Sequence, residues 1–103
     1  MNKDLSMKID NPIGIYELSD STKYFAPTRT MFVGSHKHHL THREHIFIVH
    51  LLQCNSIMTY AEINKLIGAS TLNANRLFIK NFRKKVPKNM VKNVAGIGYK
   101  LLL

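Results

Sequence analysis

The stretch Thr71-Leu72-Asn73-Ala74-Asn75-Arg76-Leu77-Phe78-Ile79-Lys80-Asn81-Phe82-Arg83-Lys84-Lys85-Val86 decides the reading of this chain. It begins after Ser70 or Thr71, both good helix caps, and must end before Pro87. At about 100° per residue, Leu72, Asn75, Phe78, Ile79, Phe82 and Val86 fall on one side of a helix. Asn73, Arg76, Leu77, Lys80, Arg83 and Lys84 fall on the other. One face is core and the opposite face is basic, with polar and apolar side chains among the charges. A helix lying in a DNA major groove needs those properties.

The charge around this helix is segregated. The chain of 103 residues has 15 Lys and Arg against 6 Asp and Glu, a formal charge of +9. Residues 1–62 are balanced, and Glu62 is the last acid. From residue 63 onward stand Lys65, Arg76, Lys80, Arg83, Lys84, Lys85, Lys88, Lys92 and Lys100, with no acid among them. A merely solubilising face mixes signs, so a polyanion-binding surface is expected.

Outward from the basic helix, two more helices precede it. Leu40-Thr41-His42-Arg43-Glu44 opens the first: Thr41 caps it and Glu44 completes a capping box. It runs to about Gln53 and is apolar nearly all round, which predicts a central buried helix. Thr59 and Glu62 repeat the box, and the second helix stops at Gly68. Earlier still, Ile13 to Leu18, Tyr24-Phe25 and Met31-Phe32-Val33 are short strand-forming segments, broken by Pro27-Thr28-Arg29 and Gly34. Residues 13–39 are expected to form a small antiparallel sheet. After Pro87, Met90 to Val94 and Tyr99 to Leu103 flank Ala95-Gly96-Ile97-Gly98, a hairpin. The expected fold is α+β: a winged helix-turn-helix with a small N-terminal antiparallel sheet, three helices and a C-terminal β-hairpin wing. It occupies residues 13–103 as one domain, and residues 1–12 are expected to be a flexible N-terminus.

Other functions find little support. No apolar run is long enough to cross a bilayer, and the N-terminus has no signal-peptide core, so a cytoplasmic protein is expected. The single Cys54 cannot form an internal disulfide or a cysteine-based zinc site, which fits a reducing compartment. No Ser-His-Asp set, paired carboxylates or nucleotide-binding loop is visible, so no enzyme and no cofactor are expected. A membrane-surface role for the basic helix fails because the protein's own core needs its apolar face. His36, His38, His39, His42, His45 and His50 lie within fifteen residues. His38 precedes the Thr41 cap and Glu44 serves that cap, so no metal site is expected. Weak charge near DNA, or packing where sheet meets helix, is the expected role. Leu77 could meet a thymine methyl or turn into the core.

Four motifs in order resemble the DNA-binding effector domain of OmpR/PhoB-type transcription regulators, including the ToxR-like branch. Leu40-Thr41-His42-Arg43-Glu44 is similar to that family's Leu-Thr-x-x-Glu. Phe82-Arg83-Lys84-Lys85-Val86 is similar to its Leu-Arg-Lys-Lys-Leu, and Val94-Ala95-Gly96-Ile97-Gly98-Tyr99-Lys100 to its Val-Arg-Gly-x-Gly-Tyr-Arg wing. Tyr24-Phe25-Ala26-Pro27 resembles an N-terminal strand motif. The resemblance implies sequence-specific binding of double-stranded DNA. The partners it implies are DNA and either a second copy on DNA or another DNA-bound regulator.

These residues hold neither a receiver domain nor a membrane anchor, so a regulator acting without phosphorylation is expected. The loop after Gly68, which in the family can touch RNA polymerase, looks shorter here. That implies occlusion of a promoter or displacement of another bound protein. Ala95 replaces the family's wing arginine, and Asn73 stands where arginine is common. Combining face and resemblance, the expected DNA contacts are Thr71, Asn73, Arg76, Leu77, Lys80, Asn81, Arg83, Lys84, Lys92, Asn93 and Lys100. The alternative is a small adaptor that docks the same basic face on an acidic protein.

Overall fold

A computed structural model describes residues 14–54, 57–68 and 71–102. The expectation for residues 1–12 lies outside these, as do Ile13, Ser70 and Leu103. The chain opens with a four-stranded antiparallel meander, β1 (Ile15–Ser19), β2 (Thr22–Phe25), β3 (Thr30–Val33) and β4 (His36–His39), in sequence order. Three helices follow: α1 (His42–Cys54), α2 (Tyr60–Ile67) and α3 (Leu72–Arg83). A second sheet has the order β5 (Met58–Thr59), β7 (Gly98–Leu101), β6 (Val91–Val94).

Local sequence accounts for the turns. Pro27 starts a 3-10 turn over Ala26–Thr28, and Arg29 closes it in the left-handed region at φ 53°. Gly34, also left-handed, turns β3 into β4. The meander's register places Tyr16, Tyr24, Met31 and His38 side by side on one face and Glu17, Lys23, Phe32 and Lys37 on the other. Tyr16, Tyr24 and Met31 are buried, so the first row faces the helices. β4 is a strand that the apolar pattern does not announce. Its residues are His, Lys, His and His, held by pairing to β3 rather than by their own burial. β5 is likewise unannounced, because two residues carry no period.

Both capping boxes form. Thr41 N–H donates to Glu44 Oε1 at 2.9 Å and Glu44 N–H to Thr41 Oγ1 at 3.2 Å. Thr59 and Glu62 repeat the exchange at 2.8 and 3.2 Å. Glu62, bonded by the Thr59 backbone N–H, is held below the ordinary carboxylate range. Gly68 ends α2 in the left-handed region. Helix α1 is central as expected: Phe47, Ile48, Leu51 and Leu52 are buried, although Ile46 reaches solvent. Phe47 meets Phe78 and Phe82 of α3 edge-on at 5.5 and 5.1 Å, which sets α3 against α1.

Helix α3 keeps its two faces with one correction. Asn75, Ile79, Phe82 and Val86 are buried and Phe78 is half-buried, but Leu72 is 44% exposed. Leu72 is the first residue of the helix, in its opening turn. Asn75 carries the α2–α3 junction through polar contacts. Its Nδ2 donates to Tyr60 O at 3.2 Å and to Asn64 Oδ1 at 3.1 Å.

Candidate nucleic-acid interface

Helix α3 is held at both ends. Thr71 Oγ1 accepts from Ala74 N–H at 3.1 Å, satisfying a donor of the first turn. Thr71, expected as a DNA contact, is therefore engaged as the cap while remaining exposed. At the other end the Lys84 N–H bonds back to Asn81 and Phe82 carbonyls. Between these anchors Asn73, Arg76, Leu77, Lys80, Asn81 and Lys84 are all exposed along one side. Leu77 is 57% exposed, which settles its position: it lies among the charges and not in the core.

The remaining expected residues divide. Lys92 and Lys100 are register partners on β6 and β7, on the hairpin face opposite the Asn93–Tyr99 pair. Asn93 donates from Nδ2 to the Tyr60 hydroxyl at 2.9 Å and weakly to Gly98 O at 3.4 Å. Arg83 donates from Nη2 to Val91 O at 2.9 Å, and its guanidinium carbon lies 5.7 Å from the Tyr99 ring centroid. Arg83 and Asn93 thus bond the protein itself, whereas the side chains of Arg76, Lys80 and Lys84 make no hydrogen bond or ion pair to another described residue. Ala95, Gly96 and Ile97 form the wing turn, exposed throughout, with Gly96 at φ +77°.

Two features escape sequence reading. Lys85, one more base in a basic run, bridges to Glu44 Oε1 at 2.8 Å and donates to His39 O at 3.1 Å. Glu44 is 97% buried, so this lysine neutralises a carboxylate from α1 rather than facing outward. The second is a cleft where the start of α1 meets the end of α3. Thr41, His42 and Arg43 line it from one side, and Asn81 and Lys84 from the other. Arg43 and the N-terminus of α1 thereby extend the positive potential of the α3 face. No local motif marks this, because the two segments lie some forty residues apart.

The histidines disperse. His36 and His38 stack loosely on β4 at 6.5 Å, and His39 follows them. His45 sits at the junction of sheet and helix, its Nδ1 2.7 Å from the Tyr24 hydroxyl. Burial, followed by the nearby charges of His42 and Arg29, pushes His45 below its ordinary value of 6.5. Burial pushes the Tyr24 phenol up. Both directions favour the neutral forms of the pair, and the tautomer of His45 sets which of the two atoms donates. Among the described residues no three His, Cys, Asp or Glu side chains come together as a metal centre.

The α+β arrangement of a four-stranded antiparallel sheet, three helices and a C-terminal hairpin is consistent with a winged helix. No protein-family model and no curated protein matches the chain. Among solved structures it is similar to the response regulator DrrB of Thermotoga maritima, an OmpR/PhoB homologue. The TM-score is 0.71, with 21% identity, over 85% of this chain and 44% of DrrB. This chain thus spans less than half of that protein, and the likeness is one of fold. No described helix is long and apolar enough to cross a membrane.

Proposed function

We propose that the chain is a non-enzymatic, bacterial transcription regulator of the OmpR/PhoB type, on its ToxR-like branch, that binds double-stranded DNA sequence-specifically in the cytoplasm. Helix α3 lies in the major groove, with Arg76, Asn73, Leu77 and Asn81 toward base edges and Lys80 and Lys84 toward phosphates. The wing lies alongside, and Lys92 and Lys100 meet phosphates. Binding requires no phosphorylation, and regulation follows from blocking a promoter or displacing a neighbouring protein, as one copy or two.

The observation that carries this reading is the exposed side of α3: basic and amide side chains with Leu77 among them and no acid, on a helix packed by its opposite face. The likeness in fold to DrrB, an OmpR/PhoB homologue, supports the same reading. Lys80→Ala combined with Lys84→Ala tests it. Affinity for duplex DNA should drop, and the slope of log affinity against log salt should become shallower by about 2, one unit per phosphate contact. Unchanged affinity at moderate salt would remove α3 from the interface.

A further inference from the structure

Arg83 reads in the sequence as one more cation for DNA, but its geometry is that of a clamp. It is the last residue of α3. Its Nη2 donates to the carbonyl of Val91, the first residue of β6, and its guanidinium lies against the ring of Tyr99 in β7. Tyr99 is 95% buried and packs edge-on to Tyr60, the first residue of α2, at 5.7 Å. The Tyr60 hydroxyl in turn accepts from Asn93 of β6. Both strands of the hairpin are therefore gripped twice, once from the end of α3 and once from the start of α2.

We infer that Arg83, with Tyr60, is a positioning residue that fixes the angle of the wing relative to α3, so that both meet one duplex together. The inference rests on the DNA-binding reading above. Strand pairing ties the hairpin to the body only through the two-residue β5, so its angle also depends on the burial of Val91 and Tyr99, on the bond from Tyr60 N–H to Ile97 O, and on the side-chain grip of Arg83 and Tyr60. A planar guanidinium can bond a carbonyl with one edge while its face lies on a ring, which a lysine ammonium cannot do. Asn93, bonded to the same cluster, belongs to the clamp and not to the set of phosphate contacts.

Two measurements test this on the full chain. In the free protein, Arg83→Met should speed hydrogen exchange of β6 and β7 amides while those of α1 stay protected. Tyr60→Phe, which deletes only the hydroxyl that Asn93 bonds, should do so to a smaller degree and remains readable if Arg83→Met fails to fold. In binding to a short mixed-sequence duplex at low salt, Arg83→Met should weaken affinity about tenfold. In a background already carrying Lys92→Ala and Lys100→Ala, the same substitution should cost nothing further, because the wing no longer contributes contacts to align.

Unchanged exchange in both variants would overturn the clamp whatever happens with DNA. Equal losses in the two backgrounds would make Arg83 an independent phosphate contact and overturn the positioning role. A wild-type chain that bound no duplex would sink the DNA reading instead, and exchange would still decide whether the clamp exists.

Discussion

Gly98→Ala should be the most damaging single-methyl change in this fold. Gly98 is buried where β7 crosses β5. A Cβ built there would lie 2.8 Å from both the Met58 carbonyl carbon and Thr59 Cα, and closer still to the Met58 oxygen. Ordinary contact begins at 3.4 Å, and the obstruction is backbone, which no rotamer change relieves. The strands must part, and the two paired positions go with them, as does the bond from Tyr60 N–H to Ile97 O at 3.1 Å. About three hydrogen bonds at roughly 0.5–1.5 kcal/mol each put the loss near 2–4 kcal/mol. For a domain of this size that lowers Tm by roughly 10–25 °C. Gly96→Ala is the internal control. Nothing lies within 4 Å of its Cβ, so only the left-handed φ of +77° opposes it, at about 1–2 kcal/mol. Thermal and urea melts of both variants check the reasoning. A Gly98→Ala melt no lower than that of Gly96→Ala would refute the claim that close backbone approach, and not turn conformation, governs the wing.

Three further outcomes are expected. Because folded His45 is held below 6.5, the unfolded chain takes up its proton first. Stability should therefore be intact above about pH 6.5, decline as pH falls, and stop declining below the lowered folded value. His45→Gln should flatten the melt-versus-pH slope across that window, and an unchanged slope would place the titration elsewhere. Lys85→Met should lower stability by about 1–3 kcal/mol in urea unfolding. Among the described residues it leaves the buried Glu44 carboxylate with the Thr41 N–H as its remaining partner, and the partial exposure of Lys85 keeps the loss below that of a fully buried pair. Ala95→Arg adds a cation at the exposed wing turn. If the wing lies at a minor groove it should tighten binding, most on A·T-flanked duplexes, by up to the roughly 1–3 kcal/mol of a good arginine contact. No gain on any flank would mean that the turn does not touch DNA.

The parts of the fold legible in sequence are those in which cause and effect lie within one turn. Thr41 with Glu44 and Thr59 with Glu62 are three residues apart, so a capping box is visible from spacing alone. The two faces of α3 are a 3.6-residue period, and the hairpin announces itself through Gly96. What stayed hidden depends on partners remote in the chain. β4 is a strand because β3 offers it an edge, not because His36-Lys37-His38-His39 favours extension. Leu72 shares the phase of the core residues, yet at the very start of α3 it emerges to solvent. Periodicity gives direction around a helix axis and says nothing of how far along that axis the neighbour reaches.

The same limit bears on the site itself. In sequence, the nine bases after Glu62 are interchangeable, and the run Arg83-Lys84-Lys85 invites three phosphate contacts. Folding assigns three different tasks to those neighbours. Lys85 turns inward to the Glu44 carboxylate, 41 residues earlier. Arg83, though exposed, turns sideways to bond the wing, and Lys84 faces outward with Lys80 without a partner among the described residues. Steps of 100° around the helix require some such divergence of consecutive side chains. Which direction meets an acid, a carbonyl or open water is decided by tertiary packing. A salt dependence predicted from net charge would therefore overcount. On the geometry here the slope should track Lys80, Lys84, the wing lysines and Arg43 at the cleft, and be indifferent to the charge of Lys85.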